Sequence, residues 1–204
     1  MTGPLLIYVV EDDPCVRDSL CQLLRLRGFR TSAFDSGEAF LDGLDAALSG
    51  SVVLLDLRLP GMSGLEVQSA LLSRNLRWPV IVLTAHGDAS SARNALKAGA
   101  YDFIEKPFDD AVLVSAITRA AADAEAAEAK AASRLETQRR MARLTGRERQ
   151  VLQMVVDGHH NREIAHALGL SSRTVEVYKA RLMDKLDVDR LADLIRLSLE
   201  SPLD

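Results

Sequence analysis

The sequence predicts an α/β doubly wound five-stranded parallel sheet, followed by a long linker helix and an all-α four-helix domain of helix-turn-helix type. Three observations carry this expectation. Five short apolar runs alternate with segments of helical period over the first 108 residues, the pattern of a parallel sheet with helices on both faces. A stretch without Gly or Pro, dominated by Ala, Glu and Arg, then runs from 109 to 143. From 145 onward strand signals vanish, and capped amphipathic helices succeed one another across short turns.

The apolar runs are Leu5–Val10, Thr31–Phe34, Val52–Leu55, Val80–Leu83 and Asp102–Ile104. A short apolar run bounded by turn signals reads as a strand buried on both faces. Between the first two, Val16, Leu20, Leu23 and Leu24 repeat at helical spacing. Asp35 with Glu38, and Ser63 with Glu66, have the spacing of capping boxes.

The Ala-rich stretch reads as a helix because Ala is the best helix former and nothing interrupts it. Glu136 and Arg140 form a favourable i,i+4 pair. At a rise of roughly 1.5 Å per residue such a helix spans about 50 Å. A flexible low-complexity linker is the weaker alternative.

Thr145 with Glu148 opens the next helix, whose apolar stripe is Val151, Leu152 and Val155. Asn161 reads as the N-cap of "REIAHALG", which Gly169 ends, and a serine caps the helix Ser172–Leu186. A last helix, Leu191–Leu199, closes the bundle. The domain limits are therefore 1–120 and 144–204, bridged by the helix 109–143.

Composition fits a globular protein, with 48% hydrophobic and 26% charged residues. No run approaches the roughly eighteen apolar residues of a membrane span. The start, "MTGPLLIYVVEDD", lacks the basic end of a secretory signal, so a cytoplasmic location is expected. Cys15 and Cys21 lie six apart, a spacing that suits neither zinc nor a redox pair and reads as two reduced thiols. The net charge is −4, with 9 basic and 10 acidic side chains in residues 145–204. Any DNA-binding surface must then be a local patch.

The chemistry concentrates at strand ends. In "SVVLLDLRLPG", Asp56 ends a buried run, where a carboxylate is costly unless paired. Glu11, Asp12 and Asp13 follow the first strand, Thr84 the fourth, and Lys106 the fifth. Strand C-termini of an open parallel sheet share one crevice. Converging carboxylates repel one another unless a cation joins them, and an oxygen-only set suits Mg²⁺. Asp56 could then act as nucleophile and form an aspartyl phosphate. A lysine ammonium and a threonine hydroxyl are the partners that new phosphoryl oxygens need.

"VVEDD", "LLDLRLPGMSG", "LTAHGD" and "GAYDFIEKPF" together resemble the receiver domain of two-component response regulators, the CheY-like fold. "LTGRERQVLQMVVDGHHNREIAHALGLSSRTVEVYKARLMDKL" is similar to the DNA-binding domain of LuxR- and NarL/FixJ-type regulators. The resemblance implies Asp56 as phosphoacceptor. It implies Mg²⁺ held by Asp12, Asp56 and the Arg58 backbone carbonyl, with Glu11 acting through a water. Thr84 and Lys106 would bind the phosphoryl group, and Phe103 would change rotamer. The Lys106–Pro107 bond would be cis. Arg58 and His86 would tune the phosphoryl lifetime. A histidine kinase, promoter DNA, RNA polymerase and a second copy of the chain are the implied partners. The second copy would pair through helix 90–98 and strand 102–104 on phosphorylation. Glu11 for the commoner Asp, Leu59 for Met and the bulky Tyr101 depart from the family pattern.

In a helix-turn-helix the second helix enters the major groove. Spacing puts Arg173, Glu176, Val177, Lys179 and Ala180 on adjoining faces of its N-terminal half, where they could meet base edges or phosphates. Ser172 and Thr174 are short donors suited to phosphates. Residues 171–185 carry four basic and two acidic side chains, a positive patch in a nearly neutral domain. His159 and His160 read as a turn or a phosphate-facing loop, since no third metal ligand lies near.

Two other functional classes share parts of this pattern. An aspartate-nucleophile phosphohydrolase needs a second acid two residues after the nucleophile, where Arg58 stands. A regulator independent of phosphorylation fits the intact acidic set poorly.

Overall fold

The computed structural model describes residues 4–44, 51–85 and 89–200. The chain divides into two compact units, Met1–Ala127 and Glu128–Asp204.

In the first unit β1 (Leu6–Val10), β2 (Arg30–Phe34), β3 (Val52–Asp56), β4 (Val80–Ala85) and β5 (Asp102–Lys106) alternate with helices. These are α1 (Pro14–Leu26), α2 (Gly37–Asp42), α3 (Gly64–Ser73), α4 (Ala89–Lys97) and the start of α5 (Asp110–Ala142). All pairings are parallel, in the order β2-β1-β3-β4-β5. Alternate side chains of each strand enter opposite cores. Tyr8, Val10, Val53, Leu55 and Val82 pack with Phe40, Val67 and Leu71 on one face. Ile7, Val9, Leu54, Ile81 and Leu83 pack with Leu24, Leu113 and Ile117 on the other. Burial on both faces explains why the central strands read as continuous apolar runs.

Three strands extend past the expected limits, so that Asp56, Thr84 and Lys106 are ladder members rather than the first residues after it. Hydropathy marks which side chains are buried, whereas the backbone ladder continues until the chain turns. Asp35 and Glu38 do not form a capping box. Ser36 caps α2, accepting from the Ala39 amide, and Glu38 instead accepts from the Met62 amide at 2.9 Å. Ser63 with Glu66 does form one. Cys15 is exposed and Cys21 buried, both free. His86 lies outside the described residues. The Lys106–Pro107 bond is cis.

One glycine sets the geometry beneath Asp56. A Cβ on Gly64 would lie 2.7 Å from the Asp56 carbonyl oxygen and 3.0 Å from the Leu57 Cα. These are backbone atoms that cannot swing aside, so only glycine lets α3 begin against the end of β3.

Helix α5 runs unbroken from Asp110, with the Asp109 carboxylate accepting from the Ala111 amide at 2.7 Å. Its residues 125–136 are all exposed, and the Glu136–Arg140 pair forms at 3.0 Å. In the second unit α6 (Gly146–Val156), α7 (Asn161–Leu168), α8 (Ser172–Leu186) and α9 (Leu191–Glu200) enclose Val151, Leu152, Val155, Ile164, Val175, Leu182 and Leu194. The cap of α7 is His160, not Asn161, which becomes the first helical residue. Glu163 makes this possible by accepting from the His160 amide at 2.7 Å. Gly169 ends α7 at φ 65° and Ser171 caps α8. Among the described residues no helix is long and apolar enough to cross a membrane.

Glu148 is the charged member of this core, 3% exposed. It accepts from the Thr145 amide and hydroxyl at 2.8 and 3.0 Å and from Lys185 Nζ at 2.8 Å. Burial pushes its carboxyl up, but Lys185 and Thr145 outweigh that and hold it below the usual carboxylate range. A depressed folded-state pKa contributes stability that is present above the ordinary Glu value and lost as pH falls through the folded value. Glu148→Gln should therefore destabilise the second unit by about 1–3 kcal/mol at neutral pH, and by less in acid. Urea unfolding followed by circular dichroism at two pH values measures both. Gly64→Ala should cost the first unit about 1–3 kcal/mol through overpacking, read as a lowered urea midpoint.

Candidate functional site

The carboxyl edge of the sheet gathers Glu11, Asp12, Asp56, Thr84 and Lys106. Glu11 follows β1 directly, and Arg17 of α1 fixes that loop by donating to the carbonyls of Glu11 and Asp12 at 2.8 and 3.1 Å. Asp13 turns away from the cluster and caps α1, accepting from the amides of Cys15 and Val16. Sequence spacing groups Asp13 with its neighbours and gives no sign of the brace from Arg17.

Asp56 lies beside Leu83 in the β3–β4 register, and Thr84 and Ala85 pair with Glu105 and Lys106 across β4–β5. Parallel register thus brings the ends of β3, β4 and β5 level. Asp56 is 8% exposed, Glu11 2% and Thr84 3%. One oxygen of Asp56 accepts from the Arg58 amide at 2.8 Å, and the other from Lys106 Nζ at 2.5 Å. The same ammonium donates to Glu11 Oε2 at 2.6 Å.

Ligand oxygens of Glu11, Asp12 and Asp56 lie within 4.8 Å of one another. Burial and the neighbouring charge of Asp56 push the Glu11 carboxyl above its ordinary value, against the pull of Lys106. For Lys106, burial favours loss of the proton, but the bonds to Asp56 and Glu11 win and raise its pKa. Three carboxylates against one ammonium leave an excess of about two negative charges. An all-oxygen cluster with that deficit fits a hard divalent cation such as Mg²⁺. Phe103, on β5, is 41% exposed.

The second unit separates the residues proposed from spacing into two groups. Arg173, Glu176, Val177 and Ala180 line one shallow cleft along α8, an i, i+3, i+4, i+7 stripe. Lys179 faces the turn before α7, with His159, His160 and Arg162. The Thr174 hydroxyl is engaged with Ser171 Oγ at 2.8 Å, while Ser172 is exposed at the helix start. Within α6–α9, Lys185, Arg190 and Arg196 are ion-paired. Arg147 and Arg149 donate to backbone carbonyls. Among the described residues, Arg162, Arg173, Lys179 and Arg181 make no hydrogen bond or ion pair. These cations are available to an external anion, and three of them lie on α8.

Comparison with known proteins agrees with this division. Residues 7–118 match the response regulator receiver domain, and residues 142–198 match the bacterial regulatory proteins of the luxR family. The chain is 41% identical over 199 residues to the transcriptional regulatory protein FixJ of Azorhizobium caulinodans, covering 98% of this chain and 94% of that one. It is 43% identical over 193 residues to FixJ of Rhizobium meliloti, covering 95% and 94%. Among solved structures, full-length FixJ from B. japonicum superposes with a TM-score of 0.63 at 40% identity, covering 98% of both chains. The response regulator StyR superposes with a TM-score of 0.84 at 36% identity, covering 97% of this chain and all of that one. The chain therefore belongs to the FixJ-type response regulators, transcriptional regulators of two-component systems that join a receiver domain to a LuxR-type DNA-binding domain.

Proposed function

We propose that Asp56 is the phosphoacceptor and that its phosphorylation by a partner histidine kinase raises affinity for promoter DNA. The observation that carries this reading is the Lys106 ammonium held between Asp56 and Glu11 at the open edge of the sheet. In the reaction a carboxylate oxygen of Asp56 attacks phosphorus, a P–O bond forms, and the P–N bond to the kinase histidine breaks. Lys106 and Thr84 would bind the phosphoryl oxygens. Asp12, Asp56 and the Arg58 carbonyl would hold Mg²⁺ directly, with Glu11 acting through a water. The ion, when bound, neutralises the pocket so that an anionic phosphodonor can approach. Arg58 in place of a second acid argues against a phosphohydrolase. A cytoplasmic location fits both the DNA-binding family and the partners.

Dimerisation is the proposed link to DNA. Phe103 and Leu96 are exposed apolar side chains, 41% and 42%, on β5 and α4. Thr84 moving toward a phosphoryl group would free space for Phe103 to turn inward and reshape that face. Two receivers joined there make the second DNA contact intramolecular, with avidity gains on the order of 10²–10⁴. On DNA, α8 would enter the major groove with Arg173, Glu176, Val177 and Ala180 toward bases, and Ser172, Thr174 and Lys179 toward phosphates. Contact with RNA polymerase would complete the regulatory output.

Incubation with Mg²⁺ and acetyl phosphate should add one phosphoryl group by intact mass, absent in Asp56→Asn. Lys106→Ala should still accept it yet lose the rise in DNA affinity, and a full rise would sink the Lys106 assignment. Sedimentation with beryllofluoride should show dimers at micromolar concentration. Tight operator binding by an activated monomer would instead favour relief of a contact within one chain.

A further inference from the structure

The cleft between α8 and the turn before α7 contains two groups whose chemistry the reading above leaves unused. His159 and His160, both exposed, line it together with Arg162, Lys179, Leu191 and Ile195, around a volume of about 580 Å³. Its cations come from two helices, and Arg162 and Lys179 carry no hydrogen bond or ion pair among the described residues. Burial lowers the Lys179 pKa, partly offset by the carboxylate of Glu176. A half-buried ammonium left without an ion pair is a costly arrangement unless an anion completes it.

We propose that this cleft holds a phosphate of the DNA strand flanking the groove entered by α8, and that His159 and His160 make the contact proton-linked. The proposal rests on the DNA-binding reading and adds to it a dependence on pH. Glu163 is the acid nearest the pair, its Oε2 3.7 Å from His159 Nδ1. The His160 amide holds that carboxyl below the usual range, so Glu163 is already ionised. Asp157, at the end of α6, is bonded to Gln153 at 3.0 Å. Lys179, with Glu176 beside it, faces the cleft from α8. From α9 the lining is apolar, Leu191 and Ile195.

Arg162 and Lys179 line the same cleft as the two imidazoles. A phosphate in the cleft brings an opposite charge beside the imidazoles. The imidazoles are then easier to protonate in the complex than in the free chain, and binding takes up protons. Affinity rises as pH falls through the ordinary histidine range near 6.5. A rise of about one unit in one histidine pKa corresponds to a loss of affinity on the order of five- to tenfold from pH 6 to pH 8.

The test is fluorescence anisotropy of a labelled mixed-sequence DNA duplex with the full chain, first phosphorylated with Mg²⁺ and acetyl phosphate, at fixed ionic strength. Wild type should bind several-fold more weakly at pH 8 than at pH 6. His159→Gln with His160→Gln should flatten that profile, while His166→Gln, on α7 outside the cleft, should keep it. Arg173→Ala should weaken binding at both pH values with the slope intact. Wild-type affinity that is equal at pH 6 and pH 8 overturns the proton linkage and leaves DNA binding standing. Absence of binding to any duplex overturns the DNA-binding reading and the proposal with it. Should the double variant fail to fold, histidine NMR titrations of wild type with and without the duplex decide. A raised pKa for His159 or His160 on the complex supports the proposal, and unchanged values for both overturn it.

Discussion

A lysine ammonium placed between two buried carboxylates is the interaction on which the first unit depends. Glu11, Asp12 and Asp56 occupy one edge because parallel register aligns the strand ends, and register follows from burying both faces of the sheet. Fifty residues separate Lys106 from Asp56 and ninety-five separate it from Glu11, so the bridge forms only when β5 has docked on β4. Breaking such a pair costs far more than its net contribution, since a charge is left buried alone. The acidic edge is thus both the most demanding part of the fold and the part with unspent negative charge.

Much of this was legible in the sequence, for reasons that differ between residues. Asp56, Thr84 and Lys106 stood out because each follows an apolar run, and the runs are long because both faces are covered. The capping boxes at Ser63 and Thr145 are local and were read correctly. Glu38 was misread because its partner, the Met62 amide, is twenty-four residues away. The cap at His160 is not legible in spacing, because backbone donation to Glu163 replaces the side-chain cap expected of Asn161. Arg17 and Gly64 were invisible because their roles depend on backbone atoms that spacing does not locate.

The second unit shows how a nearly neutral domain presents a positive face. Lys185, Arg190 and Arg196 are paired with acids, and Arg147 and Arg149 with carbonyls. Among the described residues of α6–α9, what remains free is concentrated on α8 and the start of α7. Ion pairing elsewhere subtracts charge from the rest of the surface, so pairing, more than composition, sets the field an approaching polyanion meets.

Trp78 is the one tryptophan of the chain. It is 9% exposed and stacks on Tyr8 at 5.2 Å between ring centroids. It precedes β4, at the end of the sheet away from Asp56, and lies in the first unit. Intrinsic tryptophan emission is therefore an optical label for one half of the molecule, supplied by the sequence itself. Circular dichroism reads the helices of both halves, whereas this emission reads the first half alone, in the intact chain and without cutting it.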